Sequence, residues 1–152
     1  MDPLLRNLLL RDEGFRRSAY QDHLGYWTIG VGRLIDARKG GGISREEAFF
    51  LLENDVNSKE TELRAHFPPF STLDRVRKAV LLSMAFQMGV MGLMAFRNTL
   101  RAVEERRWND AAEGMLGSLW ARQTPGRALR LAEAMRTGDE GALRLDEEPP
   151  QG

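Results

Sequence analysis

Three side chains near the start of the chain have the types and order that acid–base chemistry on a sugar bond requires: Glu13, Asp22 and Thr28. Glu13 closes an apolar repeat at helical spacing, Leu4, Leu5, Leu8 and Leu9, and Gly14 offers that helix a stop. The negative end of a helix dipole disfavours a carboxylate there, which keeps a proton on hand for a general acid. Asp22 falls in the polar turn Gln21-Asp22-His23, where water reaches it and keeps it ionised. One carboxyl with a proton and one without are the usual equipment for breaking a glycosidic bond. Thr28 lies on a strand-forming segment and adds a hydroxyl able to hold a water. These residues alone do not separate such chemistry from ordinary surface charge, since acid pairs at this spacing are common.

The elements that must position them follow from the rest of the pattern. Asp2 can cap the first helix, and Pro3 suits its first turn. Residues 15–36 hold Tyr20, Tyr26, Trp27, Ile29, Val31, Leu34 and Ile35, punctuated by Gly25, Gly30 and Gly32, and predict a small antiparallel sheet closed by a turn over 37–42. Ser44 followed by Glu47 is a capping box, so a helix starts there and runs to about residue 65. Pro68 and Pro69 break the chain. Leu73, Val76, Val80 and Met84 mark a helix whose second half is apolar nearly all round, which predicts burial. Gly89 and Gly92 punctuate its exit, and shorter helices are predicted over about 96–105, 108–116 and 125–136. The expected fold is α+β and mostly α. A small antiparallel sheet lobe (about 15–43) and a larger helical lobe (1–13 and about 66–138) are joined by a long helix (about 44–65). The cleft between such lobes is the default place for a site.

Composition narrows the function classes. At 152 residues with 42% apolar and 29% charged residues, the chain can build one core and remain solvated. It has no cysteine, which excludes disulfides, thiolate metal sites and a cysteine nucleophile. The formal charge is zero but uneven: the acidic tail over 139–152 carries five acids against Arg144, a net of −4, leaving +4 on the remainder. With two prolines and three acids from Asp146 on, the end of that tail reads as disordered. The arginines form no unbroken stripe with aromatics between them, which argues against nucleic acid as a partner. His23 and His66 have no partner at metal-ligand spacing and read as surface residues, so neither a metal nor a cofactor is expected. The start lacks the pattern of a signal peptide, and no stretch is long enough to anchor the chain in a membrane. Gly30-Val31-Gly32 reads as a strand bend, Trp108 and Trp120 as core packing, and Met84, Met88, Met91 and Met94 as core filler.

Longer blocks carry a resemblance. The stretches Arg11-Asp12-Glu13-Gly14-Phe15, Tyr20-Gln21-Asp22 and Gly25-Tyr26-Trp27-Thr28-Ile29-Gly30-Val31-Gly32 closely resemble the phage lysozymes (endolysins) of glycoside hydrolase family 24, the T-even type. That family's motif reads Glu, eight residues, Asp, five residues, Thr, and the gaps here hold eight and five. Further blocks follow in the same order, among them Leu73-Asp74-Arg75-Val76-Arg77, Met84-Ala85-Phe86-Gln87-Met88-Gly89, Arg107-Trp108-Asn109-Asp110 and Trp120-Ala121-Arg122-Gln123-Thr124-Pro125. The resemblance runs from about Leu4 to Gly138.

It implies a lysozyme-like fold and a muramidase that hydrolyses the β-1,4 bond between N-acetylmuramic acid and N-acetylglucosamine in peptidoglycan. Glu13 would protonate the leaving oxygen, and Asp22 with Thr28 would direct a water to the opposite face. Inversion follows, with the carboxyl groups roughly 6.5–9.5 Å apart. Arg127 matches an arginine that pairs with the catalytic glutamate, a contact favouring the ionised acid and so opposing the helix dipole. Leu34, Phe86 and Thr99 match positions associated with binding the sugar chain, and Gln87 lies between the lobes. A monomer is implied, collecting in the host cytoplasm and reaching the periplasm when a separate holin permeabilises the membrane. The alternatives are a non-catalytic peptidoglycan-binding relative and a transglycosylase. Three departures from the T-even pattern stand out. The turn after Asp36 is shorter; Arg33 replaces a histidine and is expected to pair with Asp55; Gly114 replaces a polar residue that contacts sugar.

Overall fold

The structure, a computed structural model, describes residues 1 and 3–145, apart from the side chains of Leu5, Leu9 and Asp12. The cap expected from Asp2 and the disorder expected from Asp146 onward lie outside the described residues. The chain divides into two units, Met1–Leu52 and Glu53–Gly152. The α+β, mostly helical class expected from the sequence is the one observed.

In the first unit, helix α1 (Pro3–Glu13) is followed by strands β1 (Arg16–Gln21), β2 (Trp27–Gly30) and β3 (Arg33–Leu34). Helix α1 ends where expected: Gly14 takes φ +71°, open to glycine at no steric cost, and its N–H donates to the Leu10 carbonyl at 3.0 Å. The strands form one antiparallel sheet in the order β1-β2-β3. Thr28 stands opposite Tyr20 on one side and Leu34 on the other. An irregularity in β1 between Arg16 and Tyr20 shifts the register. Among the described residues of this unit only Thr28 and Asp36 are buried, so hydrogen-bonded turns rather than an apolar core set its local geometry.

Asp36 is one such anchor. Its carboxylate caps the 3-10 turn Ala37–Lys39 by accepting from the Arg38 N–H at 3.0 Å, and it pairs with the Arg38 guanidinium at 2.6 Å. The side-chain bond from Arg38, with the Arg38 N–H next, holds the Asp36 carboxyl well below its ordinary 3.8, at about 2, against the opposing effect of burial. A carboxyl whose folded value is depressed adds stability above its unfolded value and loses it as pH falls through the folded one. Asp36→Asn is therefore expected to be less stable than wild type at pH 7 in urea unfolding. The gap should narrow between pH 4 and pH 2. A gap that is the same at both ends of that range rules the pair out as a contributor.

Helix α2 (Arg45–His66) begins with the capping box read from the sequence. The Ser44 N–H donates to Glu47 Oε2 at 2.7 Å, and the Glu47 N–H donates to Ser44 Oγ at 3.2 Å. The helix continues across the boundary between the units.

The second unit holds the apolar core. It contains helices α3 (Arg75–Met88), α4 (Val90–Met94), α5 (Arg97–Glu104), α6 (Trp108–Leu116), α7 (Leu119–Gln123) and α8 (Pro125–Thr137) among its described residues. Asp74 caps α3 through the Arg77 N–H, and Pro125 opens α8. Leu63, Phe70, Leu81, Met84, Leu93, Val103, Met115 and Met135 are completely buried, and α6 packs against both α5 and α8. Helices α4 and α7, five residues each, were not foreseen: one turn is too short to show a period. Met91 corrects an expectation. It is 62% exposed, because Val90 and Leu93 take the inward positions of α4 and leave it facing out.

Arg77 joins three helices of this core. Its guanidinium stacks 3.8 Å from the centre of the Trp108 ring, and its Nε and Nη2 donate to the carbonyls of Met135 and Arg136 at 2.8 and 3.2 Å. Those carbonyls belong to the last turn of α8, which lacks partners within the helix, and a cation suits that end of the dipole. Arg77→Met keeps the stem and loses the donors. It is expected to cost about 1.5–3 kcal/mol in urea unfolding, the range for hydrogen bonds to charged groups, and a cost under about 0.5 kcal/mol would remove the argument.

Candidate active site

The site residues expected from the sequence fall into two sets, one in each unit. Glu13, Asp22, Thr28 and Leu34 lie in the first; Phe86, Gln87, Thr99 and Arg127 lie in the second.

Asp22 and Thr28 are brought together by the backbone of Tyr26. Asp22 Oδ1 accepts from the N–H groups of Leu24 and Tyr26, both at 2.9 Å. This closes an Asx-type turn, the local bonding that a short acidic side chain favours. The Tyr26 carbonyl accepts from the Asp22 N–H at 2.9 Å and from the Thr28 hydroxyl at 3.1 Å. One oxygen of Asp22 is thus spent on structure, while Oδ2 has no partner among the described residues. Thr28 Oγ1 donates its proton to the chain and keeps its lone pairs for an acceptor role. A water between Oδ2 and Oγ1 would find one acceptor that is negative and one that is neutral.

Glu13 sits at the end of α1, exposed, and its side chain makes no hydrogen bond or ion pair among the described residues of its unit. Its carboxylate lies against the turn between β2 and β3. A Cβ built on Gly32 would stand 2.6 Å from Glu13 Oε2. Leu34, half-buried, is paired with Thr28 across β2 and β3.

In the second unit Arg127, half-buried, donates through Nη2 to the carbonyl of Ser83 at 2.9 Å and to its hydroxyl at 2.8 Å. Burial, with the nearby charge of Arg130, pulls its guanidinium below the ordinary value. Gln87 is exposed and its Oε1 accepts from the Trp120 indole N–H at 2.9 Å, leaving the amide N–H groups to donate outward. Trp120, read as core, is buried and meets the Phe96 ring edge-on at 6.2 Å. Phe86 is 45% exposed and Thr99 is buried. Thr99 borders a shallow cavity of about 380 Å³ lined also by Phe96, Gly114, Ser118 and Trp120. Its hydroxyl lies where a Cβ on Gly114 would have to go. The loss of a side chain at 114 is therefore matched by Thr99 on the facing helix.

Within the first unit Arg33 finds a partner the sequence reading did not name: its Nη2 pairs with Glu47 Oε2 at 2.6 Å and its Nε donates to the Gly42 carbonyl at 3.0 Å. Glu47 is already fixed there by the capping box. The Ser44 N–H, with Arg33 adding to it, holds its carboxyl below the usual range. The reading of the sequence missed Glu47, Ser83, Tyr26 and Gly32 as partners of these residues. Glu47 is legible in it only as half of the capping box, and Tyr26 and Gly32 only as parts of glycine-marked turns; Ser83 leaves no trace.

The phage lysozyme family model matches residues 11–136. The chain is 30% identical to the probable T4-type lysozyme 1 of Dictyostelium discoideum, across 92% of this chain and 98% of that protein. It is 32% identical to the pre-baseplate central spike protein Gp5 of Enterobacteria phage T4, across 96% of this chain but only 30% of the spike. It is 29% identical to the peptidoglycan hydrolase gp36 of Pseudomonas phage phiKMV, across 81% of this chain and 14% of that protein. With the match spanning most of its length, the chain belongs to the phage lysozyme family and is a lysozyme.

Proposed function

We propose that this lysozyme hydrolyses the β-1,4 bond between N-acetylmuramic acid and N-acetylglucosamine in peptidoglycan, with inversion at the anomeric carbon. The observation that supports the reading is the turn around Tyr26, whose N–H holds one oxygen of Asp22 and whose carbonyl accepts from the Thr28 hydroxyl, so that both side chains are tied to one residue and the second oxygen of Asp22 has no partner among the described residues. In this reading Glu13 gives its proton to the bridging oxygen as the bond from that oxygen to the anomeric carbon breaks. The water held by Asp22 and Thr28 attacks that carbon from the opposite face and passes its proton to Asp22. One water is added and each new chain end carries a hydroxyl. Leu34, Phe86, Gln87, Thr99 and Arg127 hold the strand. No metal or cofactor takes part.

The setting we propose is phage-induced lysis. A monomer accumulates in the host cytoplasm and acts in the periplasm once a holin has permeabilised the membrane. The match to a central spike protein favours a second setting, in which the same chemistry is carried by the virion. Mass spectrometry of purified particles separates the two, since only the second places the chain in them.

The reaction is tested on purified sacculi. Release of reducing ends with mass-normal muropeptides, whose anomeric proton signals first show the α-anomer, is the expected result. First appearance of the β-anomer would exclude inversion. Products lighter by one water mark a transglycosylase, and binding to sacculi without release of ends marks a non-catalytic relative.

A further inference from the structure

We infer that Gly32 is a positioning residue for Glu13: by having no side chain, it lets the backbone of the β2–β3 turn form a wall against which the glutamate carboxylate seats. The inference rests on the proposed role of Glu13 and goes beyond it, to what fixes the place of the acid.

Glu13 is the last residue of α1, and its side chain has no ion pair or hydrogen bond among the described residues of its unit to orient it. A glutamate in that position has three rotatable bonds and several accessible staggered states. Something other than a polar partner must narrow them. The structure offers the turn at Gly32, from which a Cβ would stand 2.6 Å from Oε2, 2.9 Å from Cδ and 3.1 Å from Cγ of Glu13. Three consecutive atoms of the glutamate therefore lie along the face of the glycine. Ordinary contact starts near 3.4 Å, so a methyl group at 32 would drive the carboxylate back by about 0.8 Å. Side chains give way more readily than backbone, so the acid moves rather than the turn. A shift of this size at a proton donor is large, because proton transfer needs heavy atoms within hydrogen-bond reach and misplacement by about 1 Å can cost 10²-fold.

Gly32 also has φ +66°, so any L-residue there carries backbone strain. The structure supplies the control. Gly30, two residues away, has φ +69° and nothing within 4 Å of a built Cβ. Gly30→Ala thus imposes the same kind of strain without touching Glu13.

The experiment measures turnover of soluble glycan strands by Gly32→Ala, Gly30→Ala, Glu13→Gln and wild type, each per folded molecule by circular dichroism. Gly32→Ala is expected to lose at least tenfold in kcat with its KM within twofold of wild type, while Gly30→Ala keeps the wild-type kcat. Gly32→Asn, whose side chain tolerates positive φ but still carries a Cβ, should show the same loss and serves if the alanine variant does not fold. If Gly32→Ala and Gly30→Ala turn over equally while Glu13→Gln is inactive, the positioning role is overturned and the acid stands. If Glu13→Gln turns over like wild type, both are overturned.

Discussion

Glu13→Gln is expected to release reducing ends from sacculi about 10²–10⁴-fold more slowly than wild type, the usual contribution of a positioned general acid. The amide keeps the shape of the side chain and cannot give up a proton at neutral pH. Glu13 is exposed and forms no ion pair among the described residues of its unit, so the same substitution should leave stability within about 0.5 kcal/mol of wild type. A large fall in rate with an unmoved unfolding curve is the signature to look for. It distinguishes a chemical role from a structural one, because a glutamate that merely capped or paired would lose stability in step with activity. Equal rates for the two proteins, or a loss of rate explained by unfolding, would remove Glu13 from the mechanism.

Phe70→Ala should have the opposite signature. Phe70 is completely buried at the foot of the helical unit, where the 3-10 turn Pro68–Thr72 leads from α2 toward α3. The guanidinium of Arg64 lies 5.2 Å from its ring centre and the ammonium of Lys78 6.0 Å, so the ring also offers its face to two cations. Truncating a buried phenylalanine removes its transfer energy and leaves a cavity, costing about 3–5 kcal/mol. A domain of ordinary stability has roughly 5–15 kcal/mol in all, so this one change should remove a large share. Urea unfolding would show it, with the rate per folded molecule unchanged. Phe70→Leu keeps much of the volume and should cost clearly less. A loss below about 1 kcal/mol for the alanine variant would mean that the site collapses around the gap, and that Phe70 is not a keystone of the core.

What the sequence determined by itself was local. The end of α1 at Gly14, the capping box that starts α2, the bounds of α6 and the opening of α8 at Pro125 all depend on groups within a few residues of each other. Such interactions are formed wherever the segment goes, so spacing alone reveals them. The order Glu13, Asp22, Thr28 is local in the same sense, with Asp22 and Thr28 joined through a residue between them.

Tertiary structure decided the partners of the long side chains. Arg33 had acids on α2 to choose from, and Glu47 took it because the capping box already held that carboxylate at the end of the β3 loop. Arg77 found the carbonyls of α8, 58 and 59 positions along the chain, and Arg127 found Ser83, 44 positions back. An arginine reaches far enough to satisfy its donors in many places, so its type and spacing leave the choice open until packing removes all but one. The same holds for Gly32. That it must turn the chain was legible from its neighbours; that its missing side chain leaves room for Glu13 depends on where α1 ends against the sheet, which only the folded unit decides.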